Sequence, residues 1–405
     1  MRAVWKHRPR PIELLSAPIS GSSCPKRPYP APLRLPAAAS VTRIRHPKAA
    51  TAMARETTAP ARRHHKIVAL EGGITPIPDL TPAMPEGHTY ELALHERTPH
   101  ADAALIASRV SDANVVITTV CPLSGATLSP VSTPHLRFVA VMASGHDVVD
   151  LAACRGRGVV VSNSPGSNVD AVAEHSVGLY FSVRRSIVHT HALTRAGQWP
   201  RRGGILASAM YSPGGRLPLP MRDEVVGIIG YGFVGKRIAE LCRALGMKRV
   251  LVAGRKGGAA VGSPPRVDNG VCRASFGDVV RTATVLFLCL PRVPETMGLI
   301  AEAELSAMQP HAVIVNVSRG GIVDEHALVA ALKTGKIAGA ATDVFLAEPA
   351  GPENSVLLAE DTAGLNLVVT PHVAWVSQAT TQNYQDTLVG NLKAFLNEQP
   401  QNVVS

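Results

Sequence analysis

The chain has 405 residues, enough for about two or three domains of ordinary size. Hydrophobic residues make up 46% and charged residues 18%, which excludes wholesale disorder and allows a large core. The formal charge of +11 is confined to residues 1–65, which hold 13 of the 41 Lys and Arg residues and only two acids, so the rest of the chain is neutral. We therefore expect no nucleic-acid partner, and the absence of a long apolar run predicts no membrane partner.

Residues 1–65 are predicted to be a disordered basic extension or a targeting segment. They contain ten prolines and show no periodic apolar face. Met53 is an alternative start shortly before the folded body. The six cysteines form no C-x-x-C pair, as expected for thiols in a reducing compartment. We expect a cytoplasmic protein, with a mitochondrial location as the alternative if residues 1–65 are a transit peptide.

An alternating α/β pattern begins at Lys66. Short apolar strands are predicted at 66–70, 115–119, 138–142 and 159–161, with helical sequence between them. A continuous helix is predicted over Val169–Ala196, followed by an irregular Pro- and Gly-rich run from Trp199 to Met221. A second α/β unit extends from about Glu224 to His372. The pattern predicts two α/β domains with parallel sheets.

A glycine-rich turn is the most informative local motif. Gly230, Gly232 and Gly235 form G-x-G-x-x-G after the apolar strand Val225–Ile229, and a helix and a further strand follow. In this βαβ context the glycines permit a tight turn, close approach of a pyrophosphate and close packing of the helix. The sequence therefore predicts a dinucleotide site at this turn.

The end of the next strand bears on the choice of cofactor. NAD sites carry an acid there, which binds the ribose 2′-hydroxyl. This chain has no acid at that point and instead carries Arg255 and Lys256, which would attract a 2′-phosphate. NADP(H) is therefore favoured, and NAD(H) remains possible.

Three charged residues follow predicted strands of the second unit. Arg319 follows residues 312–317, Glu348 follows residues 341–344 and His372 follows residues 367–370. Carboxyl ends of strands in an open α/β sheet face the ligand crevice, so these three side chains are predicted to share a site.

Four ordered motifs carry a resemblance to a known family. They are Gly230-Tyr-Gly-Phe-Val-Gly235, Asn316-Val-Ser-Arg-Gly-Gly-Ile-Val-Asp324, Asp343-Val-Phe-Leu-Ala-Glu-Pro349 and Thr370-Pro-His-Val-Ala-Trp375. With them, residues 66–405 resemble the D-isomer-specific 2-hydroxyacid dehydrogenases, in particular the glycerate dehydrogenase/hydroxypyruvate reductase branch. The resemblance implies two Rossmann-like doubly wound α/β domains separated by a cleft. A flavodoxin-like substrate domain would comprise 66–168 plus 373–405, and the dinucleotide-binding domain would comprise 169–372.

The resemblance also implies roles for individual residues. His372 would be the general acid and base, Glu348 its partner, and Arg319 would bind the substrate carboxylate and polarise the carbonyl. The substrate-binding loop would contain Ser144, Gly145 and His146. No metal is expected, and the protein would form a homodimer. Besides the three glycines, Arg255 and Lys256, the implied cofactor contacts are Phe233, Val234, Leu290, Pro291, Val317, Ser318, Asp343 and His372.

The implied reaction is hydride transfer between the nicotinamide cofactor and a small 2-keto or D-2-hydroxy acid. A hydroxypyruvate or glyoxylate reductase, acting in reverse as a D-glycerate dehydrogenase, is the leading hypothesis. A 2-keto acid reductase with a broader pocket is one alternative. A dinucleotide-sensing corepressor on the same fold is another, because such proteins can retain the same Arg, Glu and His.

Overall fold

The computed structural model describes residues 63–204, 206–212, 214–258 and 270–405, with the backbone of two short strands at 42–44 and 267–268. The extension predicted over 1–65 lies outside the described residues, except for the strand at 42–44 and the first residues of the strand that begins at Arg63. Within these ranges, every helix is too short or too polar to cross a membrane.

The first sheet has six strands in the order β1-β3-β2-β4-β5-β6. Only β1 is antiparallel to its neighbour. Without this edge strand, the order is that of a flavodoxin-like sheet, as predicted. The strands are β1 (Thr42–Ile44), β2 (Arg63–Ala69), β3 (His88–Leu94), β4 (Val115–Thr118), β5 (Phe138–Val141) and β6 (Val160–Ser162). Two helices connect strands of this sheet: α1 (Ala103–Val110) lies between β3 and β4, and α2 (Leu151–Gly156) lies between β5 and β6.

The second sheet has eight strands in the order β14-β13-β12-β11-β7-β8-β10-β9. Apart from the short edge strand β9, all pairs are parallel, and the arrangement around β7 is that of a dinucleotide-binding Rossmann sheet. The prediction of two doubly wound α/β domains is confirmed. The strands are β7 (Val225–Ile229), β8 (Arg249–Ala253), β9 (Val267–Asp268), β10 (Val271–Ala274), β11 (Val285–Leu288), β12 (Val313–Asn316), β13 (Gly339–Thr342) and β14 (Leu367–Val369).

Each sheet is covered on both faces by apolar side chains, as expected when helices flank a parallel sheet. The C-terminal helix returns to the first sheet, where Phe395 stacks on Phe138 at 4.4 Å between ring centroids. The last residues of the chain also contact the first sheet, because Val404 N donates to Val161 O of β6 at 2.9 Å. The remaining helices are α3 (Val169–Arg184), α4 (Ile187–Arg195), α5 (Gln198–Arg201), α6 (Phe233–Ala244), α7 (Phe276–Thr282), α8 (Glu302–Ala307), α9 (Glu325–Lys333) and α10 (Gln378–Leu396).

The continuous helix predicted over Val169–Ala196 is wrong. The structure divides it into α3 and α4 at Ser186, whose φ is +46°. The Arg184 side chain at the end of α3 is buried and donates to His311 O at 2.7 Å and Thr284 O at 2.8 Å. These tertiary contacts hold the last turn of α3 against the second sheet, and the chain turns away directly afterwards.

Candidate active site

Arg319 lies three residues beyond β12 and reaches across to the loop that follows β5. Its Nε donates to Asp147 Oδ2 at 2.7 Å, and its Nη1 donates to Ser318 O at 2.8 Å. A Cβ on Gly145 would overlap Arg319 Nη2, so a larger residue there would displace the guanidinium from its present position. The carboxyl ends of the two sheets therefore meet at Arg319, beside Gly145. That this loop binds the substrate stays a prediction.

His372 and Glu348 form a close pair. His372 Nδ1 lies 2.6 Å from Glu348 Oε2, and Phe345 N donates to the other carboxylate oxygen at 2.9 Å. Because Nδ1 faces the carboxylate, Nε2 is the ring nitrogen left for a ligand. The His372 side chain is 37% exposed, so the ring is accessible from solvent. The structure thus brings together the predicted acid/base residue and its predicted partner.

The electrostatics of Glu348 link these groups. Burial opposes its ionisation, but the hydrogen bond from His372, its charge, the Phe345 N–H and the charge of Arg319 outweigh burial and lower the pKa of Glu348. The carboxylate is therefore ionised at neutral pH. An anion in this position accepts the hydrogen bond from Nδ1 of the neighbouring imidazole and fixes the ring orientation.

His372 is held in an unusual backbone conformation by Asp343. The φ of His372 is +53°, a left-handed value that non-glycine residues rarely adopt. Its N–H donates to Asp343 O at 2.7 Å, while the buried Asp343 carboxylate accepts from Val373 N at 3.0 Å and Ala374 N at 2.8 Å. Thr370 Oγ1 donates to the same carboxylate at 2.6 Å. In this arrangement Asp343 positions the His372 loop, and its contact with a nicotinamide remains a prediction.

The glycine loop has the geometry that a pyrophosphate requires. Gly230 has a φ of +93°, and a Cβ there would overlap the carbonyl of Cys289. No described residue lies within 4 Å of the position that a Cβ on Gly232 would take, so a ligand can approach the backbone. α6 begins directly after Gly232 without a side-chain cap, which leaves its first N–H groups for an anion. These residues fit a dinucleotide.

The end of β8 only partly matches the expectation for a 2′-phosphate. Arg255 is exposed, and no hydrogen bond or ion pair joins its side chain to another described residue. Lys256 instead pairs with Glu304 Oε1 at 2.8 Å and donates to Leu299 O at 3.1 Å. Its ammonium group is therefore directed at Glu304 and Leu299 and not left free at the end of β8.

The other predicted ligand contacts differ in their exposure. Phe233 at the start of α6 is 69% exposed, whereas Val317 is buried and Ser318 Oγ donates to Asn316 Oδ1 at 2.8 Å. Ser144 Oγ is likewise engaged by the protein, 3.0 Å from Ser164 O and 2.9 Å from Asn168 Oδ1. The Ser144 carbonyl is engaged as well, because Asn163 Nδ2 donates to it at 2.8 Å. Partly buried positions at the cleft are taken by His146, Val234 and Leu290, and Pro291 is exposed.

Two residues beside the site were not singled out from the sequence. Asp147 orients Arg319 from the other sheet, and His175 on α3 lies 3.1 Å from Thr370 Oγ1 and 3.7 Å from Asp343 Oδ1. Asp147 is the last residue of the stretch 143–147 that resembles the family's substrate loop, and this is the sequence signal that could have identified it. In the part of the chain that the structure describes, no three His, Cys, Asp or Glu side chains form a group that could hold a metal ion.

Comparisons with known proteins agree with this geometry. Residues 177–374 match the family model described as "D-isomer specific 2-hydroxyacid dehydrogenase, NAD binding domain". The chain is 36% identical over 303 residues to glycerate dehydrogenase of Methylorubrum extorquens, a match that covers 74% of this chain and 88% of the relative. It is 30% identical over 317 residues to hydroxypyruvate reductase of Blautia hydrogenotrophica, covering 78% of this chain and 92% of the relative.

A solved structure extends the similarity to the whole fold. It is an NADPH-dependent glyoxylate/hydroxypyruvate reductase from Sinorhizobium meliloti, in complex with NADP and malonate. The TM-score is 0.66 at 30% identity, and the match covers 85% of this chain and 97% of that structure. Together with the Arg319, Glu348 and His372 arrangement, these similarities show that the chain belongs to the D-isomer-specific 2-hydroxyacid dehydrogenases, which are NAD(P)-dependent oxidoreductases.

Proposed function

We propose that this chain reduces hydroxypyruvate or glyoxylate with NADPH and, in reverse, oxidises D-glycerate. The observation that carries the proposal is the meeting of the His372–Glu348 pair with Arg319 opposite the Gly145 loop. The names of the relatives from Methylorubrum extorquens and Blautia hydrogenotrophica support the same substrate class.

Arg319 binds the substrate carboxylate in this proposal. Its Nε donates to Asp147 and its Nη1 donates to Ser318 O, whereas Nη2 is directed at the Gly145 loop. A planar guanidinium stays charged throughout the reaction and matches a carboxylate in geometry. The backbone N–H groups of residues 144–146 complete the carboxylate site. The close approach of Arg319 to Gly145 suits a small 2-keto acid.

His372 supplies the proton. NAD(P)H, when bound at the glycine loop, supplies a hydride to C2 of the keto acid. The protonated ring of His372 donates from Nε2 to the carbonyl oxygen, while Glu348 holds Nδ1 and stabilises the imidazolium. The charge of Arg319 also stabilises the oxygen as negative charge develops on it. In the oxidation direction, the neutral ring accepts the hydroxyl proton.

The preference for NADPH rests on the end of β8. No carboxylate follows this strand, and Arg255 presents an exposed guanidinium. A 2′-phosphate would be attracted to this charge, whereas an NAD site normally has an acid that binds the ribose hydroxyls.

A homodimer in the cytoplasm completes the proposal. Large apolar side chains on and after α4 are exposed, among them Ile187 at 50%, Val188 at 48% and Trp199 at 52%. Exposed apolar side chains of this kind are typical of a subunit interface. The cysteines within the described ranges are free thiols, which agrees with a reducing compartment.

The test is steady-state kinetics of the full chain and of His372→Ala and Arg319→Ala. His372→Ala should slow hydroxypyruvate reduction about 100-fold to 10,000-fold while NADPH still binds, because only proton transfer is lost. Arg319→Ala should raise KM and lower kcat together. Wild-type kinetics in either variant would contradict the assigned role. Cofactor binding without turnover of any 2-keto acid would favour the sensing alternative.

A further inference from the structure

Arg273 lies at the cofactor end of the second sheet without a role in the reaction described above. It belongs to β10, which pairs with β8 so that Arg273 stands opposite Val252 and Ala274 opposite Ala253. Gly254 N donates to Ala274 O at 2.9 Å, which extends this pairing to the residue before Arg255. The side chain of Arg273 therefore projects from β10 beside the last residues of β8.

The direction of the Arg273 side chain follows from the strand alternation and from one aromatic contact. Val271, two residues earlier, packs in the same core cluster as Val252 and α6, so Arg273 is on the α6 face of the sheet. Its Cζ lies 5.5 Å from the centre of the Tyr231 ring. Tyr231 stands between Gly230 and Gly232. The guanidinium thus lies between the end of β8 and the glycine loop.

This position is where the adenosine ribose of a bound dinucleotide belongs. In a Rossmann site the pyrophosphate occupies the glycine loop, and the ribose 2′ position lies at the end of the second strand, here β8. A cation–π contact with Tyr231 orients the Arg273 head without neutralising its charge. No ion pair joins Arg273 to any carboxylate among the residues that the structure describes.

The balance of charge around this position favours a phosphate. Lys256, the second base predicted from the sequence, is drawn to Glu304 and lies 5.6 Å from the Phe276 ring centre. Arg255 and Arg273 remain as the two guanidinium groups without an acidic partner in the described part of this region. Two forked cations provide more donors than one ribose hydroxyl can use, and they match the oxygen atoms of a phosphate.

We propose that Arg273 is a second anchor for the 2′-phosphate of NADP(H), acting together with Arg255 at the end of β8. The inference rests on the NADPH preference proposed above and adds a residue that determines it. Tyr231 has a positioning role, because its ring holds the guanidinium over the glycine loop.

Isothermal titration of the full chain with 2′,5′-ADP and with 5′-AMP tests this proposal without turnover. The wild type should bind 2′,5′-ADP more tightly. Arg273→Ala should weaken 2′,5′-ADP binding about 10-fold to 100-fold and leave 5′-AMP binding nearly unchanged, because charge-assisted hydrogen bonds to the phosphate are lost. Arg273→Lys should retain part of the preference. Arg281→Ala is the matched control, since Arg281 is an exposed arginine of α7 paired with Asp278 at 2.6 Å.

Three results would overturn the inference. Unchanged 2′,5′-ADP binding in Arg273→Ala would show that Arg273 does not touch the phosphate, and an equal loss for both ligands would assign it a structural role. A wild type without preference for 2′,5′-ADP would overturn both this inference and the NADPH preference. The proposed reductase chemistry is judged separately, by turnover of hydroxypyruvate with NADH.

Discussion

Glu348 is the residue through which pH acts most directly on the site. Its pKa is lowered in the folded protein, where burial is outweighed by His372, the Phe345 N–H and Arg319. A carboxyl whose pKa is lower in the folded than in the unfolded chain stabilises the fold at neutral pH. That contribution is lost as the pH falls through the folded value. The same carboxylate holds the His372 ring through Nδ1.

We therefore expect Glu348→Gln to slow keto acid reduction. The rate should fall wherever the wild-type carboxylate is ionised, because the neutral amide no longer holds the His372 ring through Nδ1 as an anion does. The measurement is kcat/KM for hydroxypyruvate as a function of pH between about 5 and 9. Rates equal to those of the wild type at every pH would contradict the role given to Glu348.

Asp147 is expected to act through Arg319. Asp147→Ala removes the acceptor that lies 2.7 Å from Arg319 Nε, so the guanidinium loses its orientation towards the substrate carboxylate. KM for the keto acid should rise about 10-fold, with a smaller change in KM for NADPH. Asp147→Asn should restore part of the loss because it keeps an acceptor oxygen. Asp112→Ala, remote from the cleft, is the control, and equal effects in both alanine variants would reject the assignment.

At the scale of elements, a buried ion pair fixes the junction between α3 and β7. Arg184 Nε lies 2.5 Å from Glu224 Oε1, and the side chains are 3% and 0% exposed. Tyr180 Oη also donates to Glu224 Oε1 at 3.1 Å. Burial and the neighbouring carboxylate raise the pKa of Tyr180, so its hydroxyl stays a donor.

Glu224→Gln should destabilise the fold by about 3–5 kcal/mol, since it leaves the Arg184 charge buried without its counter-ion. The measurement is the urea midpoint followed by circular dichroism. Glu240→Gln on the exposed face of α6, where Glu240 pairs with Arg237 at 3.0 Å, should leave the midpoint nearly unchanged. Equal midpoints for the wild type and Glu224→Gln would contradict the importance of the buried pair.

The elements that could be predicted from the sequence are those determined by residues close together in the chain. The glycine loop, the parallel strands and the strand ends that carry Arg319 and His372 follow from turn residues and apolar runs. The break at Ser186 could not be predicted in this way, because it depends on where the Arg184 side chain is buried. Neither Gly nor Pro marks that break in the sequence.

Contacts between distant parts of the chain also could not be predicted from the sequence. Lys256 was expected to bind a 2′-phosphate, but it forms an ion pair with Glu304 of α8. Asp147 and Arg319 are 172 positions apart, and only the facing carboxyl ends of the two sheets bring them together. The pairing of Arg273 with Tyr231 has the same origin, since it needs the order of β8 and β10 in the sheet.

At the scale of the whole molecule, the exposed apolar side chains of α4 predict self-association. Ile187→Asp should convert the proposed dimer into monomers, because a charge would be buried at the interface. Light scattering coupled to size exclusion measures the mass directly. Val131→Asp is the control, as Val131 is 93% exposed in the first α/β domain. A wild type that elutes as a monomer would contradict the proposed dimer.

The most direct test of the proposed activity is oxidation of NADPH by the full chain with hydroxypyruvate, glyoxylate and pyruvate, with NADH in parallel. We predict rapid turnover of hydroxypyruvate or glyoxylate, slower turnover of pyruvate, and a preference for NADPH. Comparable rates on all three acids would indicate a reductase with a broader pocket. Tight cofactor binding with no turnover of any of the acids would contradict the proposal that Arg319, Glu348 and His372 carry out this reduction.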